Sequence, residues 1–303
     1  MRPAFSIIFF TVMSGFGFGL AALVPLALPF GLITIEGLFA TLLILGTILV
    51  FSGAGLLSST FHLGHPERAW RALTQWRSSW LSREGVLAII TLDAVCAWFA
   101  YHYFVGAPPL WAGLIVGFLA LFTIYCTAMI YASLRTVARW YHPLTPVSYL
   151  AFGVASGLIG LAALSAMTGD VSPILVVAAS WSLVGAWAVK LIWWQVAGRD
   201  SRSTRESATG LGQIGKVQPL MPPHTSENYL QHEMGFQIGR KHARTLRIMA
   251  LSFGGALPLA LLSALPFSAI ALTLALGATL VGLFFERWLF FAEAKHVVMN
   301  YYR

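Results

Sequence analysis

Charge is scarce in this 303-residue chain: only 10% of it is charged, against 58% hydrophobic residues and a mean hydropathy of +0.76. Such a composition excludes a soluble domain, because a single core could not bury that much apolar surface. Cysteine is nearly missing too. Cys96 and Cys126 lie within separate apolar runs, which makes them buried thiols and excludes an iron–sulfur cluster, since that needs about four closely spaced thiolates. Alternation of polar and apolar residues is absent, so no barrel strand is foreseen. The N-terminus lacks a small-residue cleavage site followed by a polar mature region, and its apolar run is too long for a signal-peptide core, so it reads as a retained first helix.

What the chain has instead is apolar runs, near 5–29, 36–61, 84–105, 110–134, 145–168, 172–196, 247–265 and 268–293. Each matches the roughly 20 residues that cross about 30 Å of hydrocarbon as a helix. The expected fold is therefore an all-α integral membrane bundle of eight transmembrane helices in one domain, 1–303. Connections around 30–35, 106–109, 169–171 and 265–268 hold no Lys or Arg, with Glu36 and Asp170 as their nearby charges. All nineteen Lys and Arg residues gather at the other side, Arg287 among them, with Lys190 about a turn inside and able to snorkel. Cations in short loops mark the cytoplasm, which puts both termini there, in a bacterial inner membrane. Topology and anionic lipid account for the net charge of +8, so no nucleic-acid partner is implied. Gly15-x-x-x-Gly19, Gly53, Gly55, Gly153-x-x-x-Gly157 and Gly160 are small residues at which helices can approach closely.

Two loops on the basic side carry the chemistry. The first, 62–83, contains His62, His65, Glu67, Arg68, Trp70, Arg71, Trp76, Arg77 and Trp80. On a helical wheel from Pro66, Ala69, Trp70, Ala72, Leu73, Trp76 and Trp80 share one face and Arg68, Arg71, Gln75 and Ser78 another. That pattern fits an interfacial helix. His62 and His65 stand where helix 2 leaves the bilayer, and Glu84 where helix 3 enters it. A quinone headgroup needs donors for two carbonyl oxygens and a route for two protons, which groups at that depth can supply; satisfied interfacial histidines are the plainer alternative. His62, His65, Arg68 and Glu84 are thus the candidate quinone site.

The second loop, 197–246, is long, polar and basic, as a docking surface for a soluble partner protein would be. Gly210-Leu-Gly212-Gln-Ile-Gly215-Lys216 looks like a phosphate loop, but Val217 replaces the Ser or Thr that would hold magnesium, and no strand precedes it. Arg71, Arg77, Arg240 and Lys241 are the candidate docking residues. Asp93 appears as the one acid inside the bilayer, on the face of helix 3 opposite Glu84, with Tyr125 as a neighbour for a proton path. A protonated Asp93 bonding another helix is the simpler role.

His62-Leu63-Gly64-x-Pro66-x-Arg68-Ala69 with Ser82-x-Glu84, set among eight spans, resembles the membrane anchor subunit of the dimethyl sulfoxide reductase family. The stretch from His62 to Gly85, with Glu227-Asn228-Tyr229 and Gly239 to Arg244, is similar to the branch linked to sulfite dehydrogenase. The resemblance implies a molybdopterin catalytic subunit, a partner with four [4Fe–4S] clusters, and electron exchange with ubiquinone or menaquinone near the positions of His62 and Glu84. It also implies that electrons run from sulfite to quinone, with the reverse, quinol-oxidising direction of the reductase branch as the alternative. His62, His65, His142 and His242 lie near one face and His102 near the other, none well inside a span, so a bound haem b is not expected. A proton-coupled anion transporter and a passive tether are the remaining readings. A transporter should concentrate polar features at the midplane, whereas here they crowd one side.

Overall fold

The computed structural model describes residues 4–62, 65–169, 171–198, 204–221 and 242–300, with the backbone alone of His62 and Pro66. Among these residues there are eight long helices: α1 (Phe5–Ala27), α2 (Gly37–Ser58), α3 (Trp80–Phe104), α4 (Leu110–Ala132), α5 (Leu144–Thr168), α6 (Pro173–Val196), α7 (Ala243–Ala264) and α8 (Ala269–Ala292). All eight are long and apolar enough to cross a membrane. Two begin earlier than the apolar runs imply. The Ser79 hydroxyl accepts a hydrogen bond from the Ser82 N–H at 3.4 Å and caps α3 at Trp80, so the polar residues Ser82, Arg83 and Glu84 are already helical. α7 likewise starts at Ala243 and carries Arg244 and Arg247 in its first turns. Hydropathy stops at a charge; backbone hydrogen bonding does not.

α1 is the central post. It packs against α2, α4, α5 and α8, and close backbone contact makes this possible. A Cβ on Gly157 would stand 2.6 Å from the Gly19 carbonyl carbon, and one on Gly19 would strike the Gly153 carbonyl. On the α2 side, a Cβ on Gly55 would lie 2.6 Å from the Ser14 nitrogen. Gly15 and Gly53, also expected at close contacts, face open space instead. A second crossing joins α7 to α8 at Gly254 and Gly282, where α7 makes a π turn over Ser252–Ala256. The Trp187 indole donates to the Gly254 carbonyl at 2.7 Å, satisfying an oxygen at the π turn.

Large apolar side chains also cover the outside: Leu42, Ile89, Trp111, Phe118, Trp181 and Ile270 are all exposed. Contiguous apolar surface of this kind suits a hydrocarbon solvent. Two residues expected inside are on that surface. Cys96 is exposed while Cys126 is buried, and Asp93 is exposed as well. The rotation of α3 decides this, since it leans on α4 far more than on α2 and turns the Asp93 and Cys96 side outward.

The starts of α1, α3, α5 and α7 and the ends of α2, α4, α6 and α8 form the basic end. At the opposite end His102 Nε2 lies 3.0 Å from the Ile35 carbonyl oxygen. Over the basic end, Pro66–Gln75 forms a 3₁₀ helix. At three residues per turn, a wheel drawn for 3.6 holds only in part. Ala69, Ala72 and Leu73 are half-buried, with Leu73 against Gly85 of α3, but Trp70 and Trp76 are 62% and 54% exposed. Arg83 fastens the loop: its guanidinium donates to the carbonyls of Trp76 at 2.9 Å and Arg77 at 2.7 Å and lies 4.3 Å from the Trp80 ring centroid.

Candidate functional site

Glu84 lies one turn into α3 and is 3% exposed. Its carboxyl accepts a hydrogen bond from the Thr127 hydroxyl of α4. The same hydroxyl is 3.2 Å from the Thr123 carbonyl, so one proton serves two acceptors. Deeper in the seam, the hydroxyls of Thr91 and Thr123 join α3 to α4 at 3.0 Å. A carboxyl sunk in an apolar seam with one donor is costly, which makes Glu84 a candidate functional residue.

The larger buried feature was not foreseen. Lys190 of α6 and Glu286 and Arg287 of α8 are 1%, 0% and 3% exposed. The Lys190 ammonium pairs with Glu286 Oε1, and Arg287 stands 3.1 Å from Glu286 Oε2. Lys190 therefore does not snorkel to the surface, and Arg287 is interior rather than part of the basic rim. Glu286, within α8, also corrects the expectation that Asp93 is the one acid inside the bilayer. One carboxylate between two cations leaves the cluster short of negative charge, and aromatic faces compensate in part: Lys190 lies 3.7 Å from the Trp193 ring centroid and Arg287 3.6 Å from that of Tyr149.

Nearer the basic end a second cluster repeats this arrangement. Glu293 accepts a hydrogen bond from Arg247 at 2.7 Å and forms an ion pair with Arg139 at 2.8 Å. Those cations lie against Trp193 and Trp194, at 5.2 and 5.3 Å from the ring centroids. Burial lowers the Arg139 pKa from its usual value, Glu293 opposes the shift, and Arg247 reinforces it.

Between Glu84 and the Glu286 cluster is a small cavity of about 20 Å³ bounded by α1, α4, α5 and α8, with Thr127, Tyr149 and Arg287 among its walls. Glu84, Thr127, Tyr149, Lys190 and Glu286 all lie between one and two turns from the ends of their helices, roughly 6–9 Å inside the basic end. They form one polar layer across the bundle.

The residues expected at the quinone site are not gathered in one place. His65 and Arg68 are exposed and meet Glu67, at 3.0 and 3.8 Å, whereas Glu84 faces Thr127 inside the bundle. The side chain of His62 lies outside the described residues, as do Glu227, Asn228, Tyr229, Gly239, Arg240 and Lys241 of the late-loop motif, whose last residues His242, Ala243 and Arg244 open α7. Tyr125 is half-buried and packs edge-on against Trp80 at 5.9 Å, away from the exposed Asp93. Arg71 and Arg77 are exposed and lie 5.6 and 5.5 Å from the Trp70 and Trp76 ring centroids. The phosphate-loop look-alike follows a short helix, Arg205–Thr209, and itself forms a 3₁₀ turn, Leu211–Gln213, with Gly210 left-handed at φ 71°. Among the described residues no three His, Cys, Asp or Glu side chains cluster as a metal site.

Comparison with known proteins fits this bundle. Residues 1–201 match the family described as the DMSO reductase anchor subunit (DmsC). The chain belongs to the DMSO reductase anchor subunit family. Full-length similarity extends this: a sulfite dehydrogenase subunit of Allochromatium vinosum is 32% identical over 333 aligned positions, covering 100% of this chain and 99% of the relative. No solved structure matches. The eight apolar helices of this family member make it a multi-pass membrane protein.

Proposed function

We propose that this anchor is the quinone-reactive subunit of a molybdopterin and iron–sulfur oxidoreductase, passing electrons from sulfite oxidation by its partners to membrane quinone. Membership in the anchor family and full-length similarity to a sulfite dehydrogenase subunit support the assembly. The observation that carries the quinone role is Glu84, a buried carboxyl held by Thr127 just inside the end that bears the cations. A quinone is an apolar tail with a ring whose oxygens must gain two protons as two electrons arrive. A protonatable group at headgroup depth, beside hydrocarbon, is suited to that task. α3 packs more lightly on α2 than on α4, and in this reading the isoprenoid tail leaves between α2 and α3.

In this reading His62, His65 and Arg68 complete the ring's surroundings from the 62–83 loop, and docking of the iron–sulfur subunit turns the exposed His65 and Arg68 inward. Arg71 and Arg77, each beside an exposed indole, together with Arg240 and Lys241 of the 197–246 loop, form the docking face. Asp93 of α3 and Tyr125 of α4 stand apart and are separate candidates for proton movement in this reading. The basic end faces the cytoplasm of a bacterium, with both termini, the iron–sulfur protein and the molybdopterin protein on that side. Transport is disfavoured because the buried charges lie near one end instead of at the midplane.

The test uses the whole complex. His62→Ala and Glu84→Gln should each cut quinone-coupled sulfite oxidation by about tenfold or more, while dye-coupled oxidation by the partner subunits stays normal. Wild-type quinone turnover in both variants removes the assignment. Reporter fusions at both termini check the orientation; periplasmic signals overturn it.

A further inference from the structure

The cavity between α1, α4, α5 and α8 has polar walls that the protein leaves incompletely bonded. Tyr149 is 3% exposed, lines the cavity, and its hydroxyl has no hydrogen-bond partner. Buried hydroxyls are bonded to protein or to ordered water. The other hydroxyls in the walls donate to backbone carbonyls: Thr11 at 3.1 Å, Ser14 at 2.6 Å and Ser156 at 2.7 Å. Their lone pairs remain able to accept. A space of about 20 Å³ exceeds the roughly 10–15 Å³ that one water needs, and water requires two to four polar partners.

The cavity also lies between two ionisable centres. On one side Thr127 bonds to Glu84. On the other, Arg287 lies beside Glu286, which pairs with Lys190. Glu286 Oε2, 3.1 Å from Arg287, lacks a well-aligned hydrogen bond, and Arg287 is the member of the cluster that lines the cavity. Within this triad the ammonium is the group that can give up a proton, because a guanidinium keeps its own at any accessible pH.

We propose that water in this cavity, together with Tyr149, joins Glu84 to the Lys190–Glu286–Arg287 cluster as a lateral proton relay. The inference rests on the quinone reading of Glu84. Quinone accepts two electrons from the iron–sulfur partner and two protons, delivered one at a time, and leaves as quinol. For each proton, Glu84 gives its O–H to the ring oxygen and becomes a carboxylate. Water and the Tyr149 hydroxyl pass a proton to it, Glu286 conveys the replacement, and Lys190 supplies it as the ammonium becomes an amine. Solvent at the basic end then reprotonates the amine. Arg287 stays charged throughout and orients the water.

The test compares Tyr149→Phe, Lys190→Arg and Glu84→Gln in the purified complex, reading quinone-coupled kcat and its solvent deuterium isotope effect. Tyr149→Phe keeps the ring under Arg287 and should lower kcat by about tenfold or more with a larger isotope effect. Lys190→Arg keeps the positive charge beside Glu286 but cannot release a proton, and should lose a similar factor. A purely structural role predicts rescue by arginine and an unchanged isotope effect in Tyr149→Phe; that result overturns the relay. If Glu84→Gln is inactive while the other two variants match wild type, the relay alone falls. If Glu84→Gln is also normal, the quinone reading falls with it. Should Lys190→Arg fail to assemble, Tyr149→Phe decides the matter by itself.

Discussion

Replacing Glu286 by Gln keeps the shape of the side chain and removes the negative charge that separates two buried cations. In the native cluster Lys190 and Arg287 both face that carboxylate. At a separation near 4 Å and an effective dielectric of about 20, each such attraction is worth roughly 4 kcal/mol before desolvation is subtracted. In Glu286→Gln both attractions vanish and an ammonium and a guanidinium remain buried together, so the net cost should be about 3–5 kcal/mol. Lys190→Met is the informative contrast. It leaves Glu286 neutralised by Arg287, with no uncompensated charge, and should cost less than about 2 kcal/mol. The double variant leaves one unpaired cation instead of two and should recover part of the Glu286→Gln loss, a coupling that a double-mutant cycle measures directly. The assay is thermal unfolding of the purified protein in detergent, where separated helices expose these groups to water. A melting point lower by roughly 10 °C for Glu286→Gln is expected. Equal losses in the two single variants, or no recovery in the double, would refute the charge-balance argument.

Thr127→Val should raise the KM for quinone and cost about 1–3 kcal/mol of stability, because it leaves the Glu84 carboxyl without its donor; unchanged quinone kinetics would show that Thr127 has no part in the site. Gly19→Ala should sharply reduce the yield of folded bundle, since the new methyl meets the Gly153 carbonyl; a normal size-exclusion profile contradicts the close crossing. Arg83→Ala should free the 3₁₀ segment and speed proteolysis after Arg71 or Arg77, with Arg83→Lys restoring little because two carbonyls are bridged by one planar group. Glu206 accepts from its own N–H and from that of Val217, at 3.1 Å for the latter, and its pKa is lowered below the ordinary carboxylate value. Its contribution is therefore complete above the unfolded pKa and disappears as pH falls through the lower folded value. Hydrogen exchange at the Val217 amide should stay slowed at neutral pH and accelerate only in that acidic window.

The sequence made the spans legible because twenty apolar residues in a row admit one solution in hydrocarbon, and it located Glu84 because a carboxyl at a helix entrance interrupts such a run. Rotation about each helix axis was not legible. Asp93 and Cys96 looked interior by depth alone, and only the packing of α3 on α4 shows which way they face. The Glu286 cluster was overlooked although its signal was present: Lys190 and the Glu286-Arg287 pair interrupt two apolar runs at similar distances from the same end. Opposite charges at equal depth on two spans predict a buried pair. Reading Lys190 as a snorkelling side chain and Arg287 as part of the basic rim hid that match. The wheel drawn over Pro66–Gln75 separates the half-buried Ala69, Ala72 and Leu73 from the exposed Arg68, Arg71 and Gln75, but Trp70 and Trp76 depart from it where the segment winds as a 3₁₀ helix, a change that composition does not encode.

The central position of α1 has a consequence for how the chain is made. It precedes in the chain two of the helices that enclose it, α5 and α8, which are translated only later. Until they arrive, the Gly19 face that later meets Gly153 of α5 can touch only lipid or the insertion machinery. Nascent chains truncated before α8 should therefore hold α1 in a loosely engaged state that quality-control proteases can recognise, so that surveillance of this protein falls on the arrival of α8.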